Sequence, residues 1–272
     1  MTRGKRWIVF VAGVFAALIL AVGAAVLMLQ SAWFYNKIRV AMVTAIEDAT
    51  GGHVEIRAFR FDWKRLRAEV DDFTLHGTEP AGKAPLFHAA SVAVGLKIVS
   101  LAAVASQLER AFDIQYLDVA GPQIDLIIGP DGRTNIPKPK TPGNGKDPSE
   151  AILKLAIGRF HLWNGMFAID SQQKAPFALQ GQNLNLDLLY DGALPRYHGN
   201  ISIEPLEADI PGITRTPVAF KASLSFEKSR IGIESASISA NAVDIQLSGA
   251  LQDLTNPHLA RSEEHTSELQ SQ

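Results

Sequence analysis

The chain has 272 residues, of which 47% are hydrophobic and 20% charged, and its formal net charge is −2. This composition is typical of a folded protein and excludes an intrinsically disordered one. A net charge near zero provides no electrostatic footprint for binding nucleic acid. Because the chain contains no cysteine, disulfides, thiolate chemistry and Cys-ligated metal centres are excluded.

A cationic N-terminus precedes a long apolar segment. Residues 1–6 contain three basic side chains, and residues 7–29 carry no charge. At about 1.5 Å per helical residue, this run is long enough to cross a hydrocarbon core of about 30 Å. The preceding cations predict a cytoplasmic N-terminus and a single-pass anchor in the inner membrane. A cleaved signal peptide is the alternative, and either interpretation predicts an exported, periplasmic body.

The next segment has the pattern of an amphipathic helix. Apolar residues recur at helical spacing over residues 33–50, and Gly51 and Gly52 then supply a C-terminal stop. The pattern is compatible with a helix that caps the end of a sheet, one that lies at the membrane surface, and one that packs on a core.

From residue 53 the apolar period changes to two, which predicts strands with one apolar and one polar face. A first β region covers residues 53–128, interrupted by an Ala-rich stretch, Leu101–Leu108, that predicts a short accessory helix. Residues 129–148 are rich in Pro and Gly and predict a loop or linker. The alternation resumes over residues 149–260, with turn residues at short intervals. The pattern favours a mainly β protein built on a long antiparallel sheet without βαβ units.

The C-terminal residues 261–272 differ from the rest of the chain. Arg261–Ser271 reads RSEEHTSELQS, which resembles a translated sequencing adapter. We therefore expect this tail to be an artefact and exclude it from arguments about the fold, and we expect the natural protein to continue beyond Ala260.

No motif in the sequence predicts catalysis. Gly-rich phosphate loops, His-x-x-x-His pairs, Gly-x-Ser-x-Gly elbows and Asp-rich calcium loops are absent from the sequence. The histidines before the tail are scattered and share no metal-ligand spacing. Asp71 and Asp72 are adjacent, so on a regular strand they point to opposite faces. We predict no catalytic, cofactor-binding or metal site, and a protein that is not an enzyme.

The order of the N-terminal parts resembles a known family. An anchor leads into a helix ending in ATGG, followed by HVEIRAF, EVDDFTLHG and PLFHAASVAVGLKIVSL. Next comes FDIQYLDVAGPQIDLIIGPDGRTNIP, in which a Gly/Asp turn precedes Asn135. This succession, over residues 1–139, resembles the N-terminal region of the AsmA/TamB-like envelope proteins. From Ile152 onward only the rhythm of strands and glycines is shared.

The resemblance implies a sheet curved into a U-shaped groove, anchored in the inner membrane and reaching across the periplasm. It also implies a role in outer-membrane biogenesis, by conducting phospholipid or by assembling outer-membrane or secreted proteins. The expected partners are the inner membrane, phospholipid acyl chains and outer-membrane proteins. The residues expected to line the groove lie on the apolar faces of strands in which apolar and polar residues alternate: Val92, Val94, Leu96, Ile114, Ile124, Leu126, Leu184 and Leu186.

Alternation alone does not separate such a groove from the core of an ordinary β-sandwich. Three functions therefore stay open at the level of sequence. The first is a lipid-conducting groove, and the second is an assembly factor that binds substrate strands at an open sheet edge. The third is an anchored binding protein or hydrolase with a sandwich fold and a site built from loops.

Overall fold

The computed structural model describes residues 31–98, 112–140, 153, 155–228, 230–240, 243–252 and 258–261. The predicted membrane anchor (7–29), the predicted helix Leu101–Leu108 and residues 262–272 of the tail lie outside this part of the chain. Among the described residues, no helix combines the length and the apolar character needed to span a bilayer. The chain divides into two compact units between Ala45 and Ile46, and the whole sheet belongs to the second unit.

The helix predicted over residues 33–50 is observed as α1, Ala32–Thr50. It ends at Gly51, which has φ +77° and donates its N–H to the Glu47 carbonyl at 2.7 Å. Glycine is favoured at this position because a left-handed backbone carries no steric cost without a Cβ. The Glu47 carboxylate accepts the Val54 N–H at 3.0 Å, and this bond lowers the pKa of Glu47. The helix end and the first strand are therefore fixed to each other.

In the described part of the chain twelve strands follow, and they occupy the stretches in which the sequence alternates. They are β1 His53–Asp62, β2 Arg67–His76, β3 Phe87–Ile98, β4 Phe112–Ala120, β5 Gln123–Ile128, β6 Arg159–Ser171, β7 Phe177–Asp191, β8 Arg196–Asp209, β9 Val218–Glu227, β10 Arg230–Ala240, β11 Val243–Gln252 and β12 His258–Arg261. All twelve belong to one sheet in which neighbours in sequence are almost always neighbours in space. The prediction of a mainly β protein with one long sheet is confirmed.

The prediction that the sheet is antiparallel throughout is wrong at one junction. β6 pairs in parallel with β4 and with β5, so the sheet is mixed. The reason is the connection between β5 and β6, which returns the chain to the end of the sheet where β4 begins. A parallel pair needs a crossover of a dozen or more residues, and the Pro/Gly-rich segment predicted as a linker belongs to that crossover.

A line of irregular pairing crosses the sheet near the middle of its strands. On β1 and β2, Arg57 and Asp72 are skipped in the pairing, and Asp72 has φ +56°. Asn164 on β6 and Asn183 on β7 also have positive φ, at +53° and +49°, and the β8–β9 register shifts between Ile203 and Leu206. Between β1 and β2 and between β2 and β3 the register is unchanged across the gap, whereas between β8 and β9 it shifts by one residue, as at a bulge, which bends the strand. Since the irregularities are neighbours across the sheet, we call them the bulge line.

The bulge line keeps the apolar side chains on one face. On β1, Val54 and Ile56 precede the line, whereas Phe59 and Phe61 follow it. The apolar residues therefore change from even-numbered to odd-numbered positions. Each of these residues pairs in register with an apolar residue on β2. Because side chains alternate between faces with period two, an unbulged strand would turn half of its apolar residues toward solvent. One apolar face therefore extends over the full length of the strands.

Candidate functional site

The eight predicted groove residues share this apolar face. Val92, Leu184 and Leu186 belong to or pack against a cluster centred on five buried residues of β3 to β8. Ile114 packs in a second cluster and pairs with Leu96. The remaining three pair in register with apolar residues of neighbouring strands: Val94 with Leu117, Ile124 with Phe167 and Leu126 with Ile169. The shared face is as expected, whereas contact with lipid is a prediction.

The most continuous feature of this face is a row of register partners that crosses ten strands without a polar side chain. We call it the central apolar line: Phe59, Val70, Val92, Val119, Leu162, Leu186, Ile201, Ala222, Ala236 and Leu247. Neighbouring strands lie about 4.8 Å apart, so the line is about 43 Å long. It provides an apolar path at right angles to the strands.

The next row of register partners points to the opposite face and is polar. It contains Arg60, Glu69, Ala93, Asp118, His161, Asp187, Asn200 and Ser223. Only Ala93 departs from the pattern. The sheet thus has an apolar face and a hydrated face, and the two differ along almost the whole row.

Burial along the central apolar line is uneven. Five of its ten residues are buried, namely Val70, Val119, Leu162, Ala222 and Ala236, and Leu162 is 8% exposed, whereas Leu247 on β11 is 46% exposed. Val92, Leu186 and Ile201 are only partly buried. In a two-layer sandwich the inner face is covered by a second sheet about 10 Å away. Within the described residues, the line is therefore buried at half of its positions and is most exposed on β11.

One segment of the crossover does cover part of the face. Leu153 and Ile157 are buried against apolar residues of β4, β7, β8 and β9, including Tyr197. The Ile157 N–H donates to the Tyr197 hydroxyl at 2.8 Å, and burial raises the pKa of Tyr197, an effect opposed by this bond. We call the described residues 153 and 155–158 the strap. It closes the apolar face near the strand ends where β4 and β6 begin.

The hydrated face of the first strands is held by ion pairs. Arg60 forms two hydrogen bonds with Asp71. His88 Nε2 lies 2.8 Å from Asp72, and Arg57 lies 3.3 Å from the same carboxylate. The bond to His88 is the main cause of the lowered pKa of Asp72. These contacts tie the bulged positions of β1, β2 and β3 together.

Among the described residues, one partly buried carboxyl has a raised pKa. Desolvation raises the pKa of Asp125 on β5, and such shifts are characteristic of catalytic sites but also of structural positions. Asn135 bonds the backbone beside it, accepting from Ile127 N–H at 2.9 Å and donating to the Asp125 carbonyl at 2.8 Å. In the described part of the chain, no three His, Asp or Glu side chains are grouped to hold a metal ion.

Several residues of the site were not selected from the sequence. The buried members that were missed are Ala89, Val119, Leu162 and Ile203, and the strap contact to Tyr197 was missed entirely. A signal for the bulge line was present in the sequence. Asn, Gly or Pro inside an alternating run, as at Asn164-Gly165 and Gly121-Pro122, marks a bulge.

Comparison with known proteins assigns no family to the chain. No protein-family model matches the chain, and the search of curated proteins gives no match.

Proposed function

We propose that this chain is an AsmA/TamB-like protein, anchored in the inner membrane through residues 7–29, whose apolar face conducts phospholipid acyl chains toward the outer membrane. The observation that carries the proposal is the central apolar line, which crosses ten strands and is only partly covered. The sequence resemblance over residues 1–139 supports the same function.

The physical reason for such a face is the cost of exposing acyl chains to water. Each exposed CH₂ costs about 0.8 kcal/mol, so a free phospholipid does not cross an aqueous compartment at a useful rate. A continuous apolar surface lowers that barrier without any chemical step, and no catalytic residue is required. Bulges bend the strands that carry them, so the register shifts between β6 and β7 and between β8 and β9 fit a sheet that curves around its apolar face.

Photo-crosslinking from single positions tests the proposal. A photo-reactive residue at Leu186, on the apolar face of β7, is expected to crosslink to phospholipid in membranes that contain the full chain. Leu189 on the same strand points to the hydrated face and is 49% exposed, so it is a matched control that should give far less lipid adduct. Equal lipid adducts at the two positions would contradict the groove.

A charge on the same face provides a second test. Leu186→Asp is expected to abolish phospholipid co-purification while the sheet still unfolds cooperatively in urea. If the variant does not fold, the position belongs to an ordinary core and the groove proposal fails there.

One observation favours the assembly-factor alternative as a second candidate. Within the described residues, β12 pairs only with Gly249–Gln252, so Val243–Ser248 of β11 have no described neighbour on that side. An open edge of this kind can bind an extended strand through main-chain hydrogen bonds. Crosslinks from Leu186 and Ile245 that go only to polypeptide would favour this candidate over lipid conduction.

A further inference from the structure

The strap occupies an apolar surface directly beside the central apolar line. Leu188 on β7 packs against the cluster that the strap forms with Tyr197. It comes two residues after Leu186 of the central apolar line, so it lies on the same face, about 7 Å further along the strand. Leu117 on β4 packs against this cluster and against the main cluster of the sheet. The surface beneath the strap is therefore continuous with the surface that carries the central apolar line.

The strap presents aliphatic side chains to this surface. Leu153 and Ile157 are each 7% exposed, and both side chains consist of carbon and hydrogen alone. The residues that pack around them and Tyr197 are apolar or aromatic: Ile114, Leu117, Leu188, Tyr190 and Phe226. Burial of apolar carbon is not directional, so a chain of CH₂ groups can make the contacts that Leu153 and Ile157 make. The surface thus has an occupant that resembles an acyl chain in its chemistry.

The strap is held on the face in a different way from a strand of the sheet. Ile157 donates its N–H to a side chain, the Tyr197 hydroxyl, at 2.8 Å. Pairing with the neighbouring main chain begins at Gly158, whose N–H donates to the Ile114 carbonyl at 3.0 Å and whose carbonyl accepts the Tyr190 N–H at 3.1 Å. Release of the strap therefore leaves the pairing of β6 from Gly158 onward in place, as in a local opening.

The backbone of the strap is strained while it lies on the face. Ala156 has φ +45°, and its N–H donates to the Leu153 carbonyl at 3.2 Å. A residue with a Cβ is disfavoured in this left-handed region, so Ala156 gains an ordinary conformation when the strap leaves. Leu155 beside it is 54% exposed, and most of its side chain does not contribute to docking. Both features favour release of the strap in exchange for another apolar occupant.

We infer that the surface beneath the strap is a second acyl-chain site, from which a phospholipid acyl chain displaces Leu153 and Ile157. A phospholipid has two acyl chains, and this surface beside the central apolar line gives each chain its own place on the face. The inference rests on the proposed function and deepens it, because it names the site of the second chain and the segment that yields to it.

Amide hydrogen exchange at Ile157 measures displacement of the strap in the unaltered protein. The full chain in amphipol is compared with and without added phosphatidylethanolamine. Displacement breaks the bond between Ile157 and Tyr197, so we expect lipid to make exchange at Ile157 several-fold faster. The amide of Leu162, which lies within the paired part of β6, is the control and should not change. Unchanged or slower exchange at Ile157 would overturn the second site.

A photo-reactive leucine analogue at residue 188 tests whether lipid reaches the surface beneath the strap. Leu153→Ala removes a buried contact and should raise the yield of lipid adducts at residue 188 several-fold. Leu155→Ala is the matched control, since it shortens an exposed leucine of the same segment, and it should leave the yield unchanged. Ala156→Gly relieves the strain at positive φ and should lower the yield. Equal yields in all four proteins would overturn the second site.

Crosslinking from Leu186 in the same samples separates this inference from the proposed function. Lipid adducts at Leu186 with unchanged exchange at Ile157 would overturn the second site and leave the groove standing. Faster exchange at Ile157 with adducts at Leu188 alone would support the second site and count against the central apolar line as a path. Absence of lipid adducts at both positions in every variant would overturn both proposals.

Discussion

The middle of the sheet and its last long strand carry the same pattern but have different environments. Leu162 on β6 and Leu247 on β11 lie on the central apolar line, yet Leu162 is buried and Leu247 is largely exposed. Leu162 has paired strands on both sides and packs within the main cluster. Val243 and Ile245 next to Leu247 are exposed as well. Burial on this face is thus set by neighbouring strands, and not by the residue pattern.

The largest expected difference between the two regions is in the free energy of unfolding when each leucine is shortened to alanine. Leu162→Ala is expected to lower the free energy of unfolding by about 2–5 kcal/mol, because it removes buried contacts and leaves a cavity. Leu247→Ala removes a side chain that is already hydrated and should cost less than about 1 kcal/mol. Urea denaturation of the full chain in detergent measures both values. Equal losses would show that the apolar face of β11 is covered.

The strap adds a second source of stability in the middle of the sheet. Tyr197→Phe removes the acceptor of the buried Ile157 N–H, and an unsatisfied buried donor costs about 1–3 kcal/mol. We expect a loss in this range and faster amide hydrogen exchange at Ile157. Tyr190, which packs beside Tyr197, provides Tyr190→Phe as the control, with a smaller loss. An unchanged exchange rate at Ile157 would show that the strap does not depend on this bond.

The first strands differ from the middle of the sheet, because ion pairs on their hydrated face contribute to stability. Asp72→Asn keeps a residue that tolerates positive φ but removes the charge, whereas Asp72→Ala removes both. We expect Asp72→Ala to be the more destabilising, with both effects smaller than that of Tyr197→Phe. Thermal unfolding of the two variants measures the difference, and a more stable Ala variant would contradict the role of the backbone conformation.

The effect of Asp72→Asn should depend on pH. The bond to His88 holds the pKa of Asp72 below its ordinary value. A lowered folded-state pKa stabilises the protein above the unfolded-state pKa, and that stabilisation is lost as the pH falls through the folded-state pKa. The difference between wild type and Asp72→Asn should therefore be present near neutral pH and shrink in acid. A constant difference across this range would exclude the charge as its cause.

Much of the fold could be predicted from local patterns. The spacing over residues 33–50 and the glycines after it are sufficient for α1, because a helix needs only local hydrogen bonds and a stop. Alternation likewise predicts the strands around Val92 and Leu186, since the pleat requires a period of two. The same alternation places Val92, Val94 and Leu96 on one face of β3, and Leu184 and Leu186 on one face of β7.

The bulge line and the parallel junction could not be predicted in the same way. The alternation of Val54 and Ile56 does not show that Phe59 and Phe61 continue the same face, because the change of parity depends on Arg57 being skipped opposite Asp72 on another strand. Similarly, the Pro/Gly-rich segment contains no local signal that the next strand, β6, runs parallel to β5. Its ends are fixed by pairing between β4, β5 and β6.

The sequence by itself determined a mainly β protein with one apolar and one polar face, because side-chain periodicity is a local property of the strand. Tertiary structure alone decided which apolar residues are buried, where the strap lies and which loops share an end of the sheet. Leu162 and Leu247 have the same type of side chain and the same place in the pattern. Their burial differs because it depends on neighbours that are distant in sequence, and local spacing does not encode those neighbours.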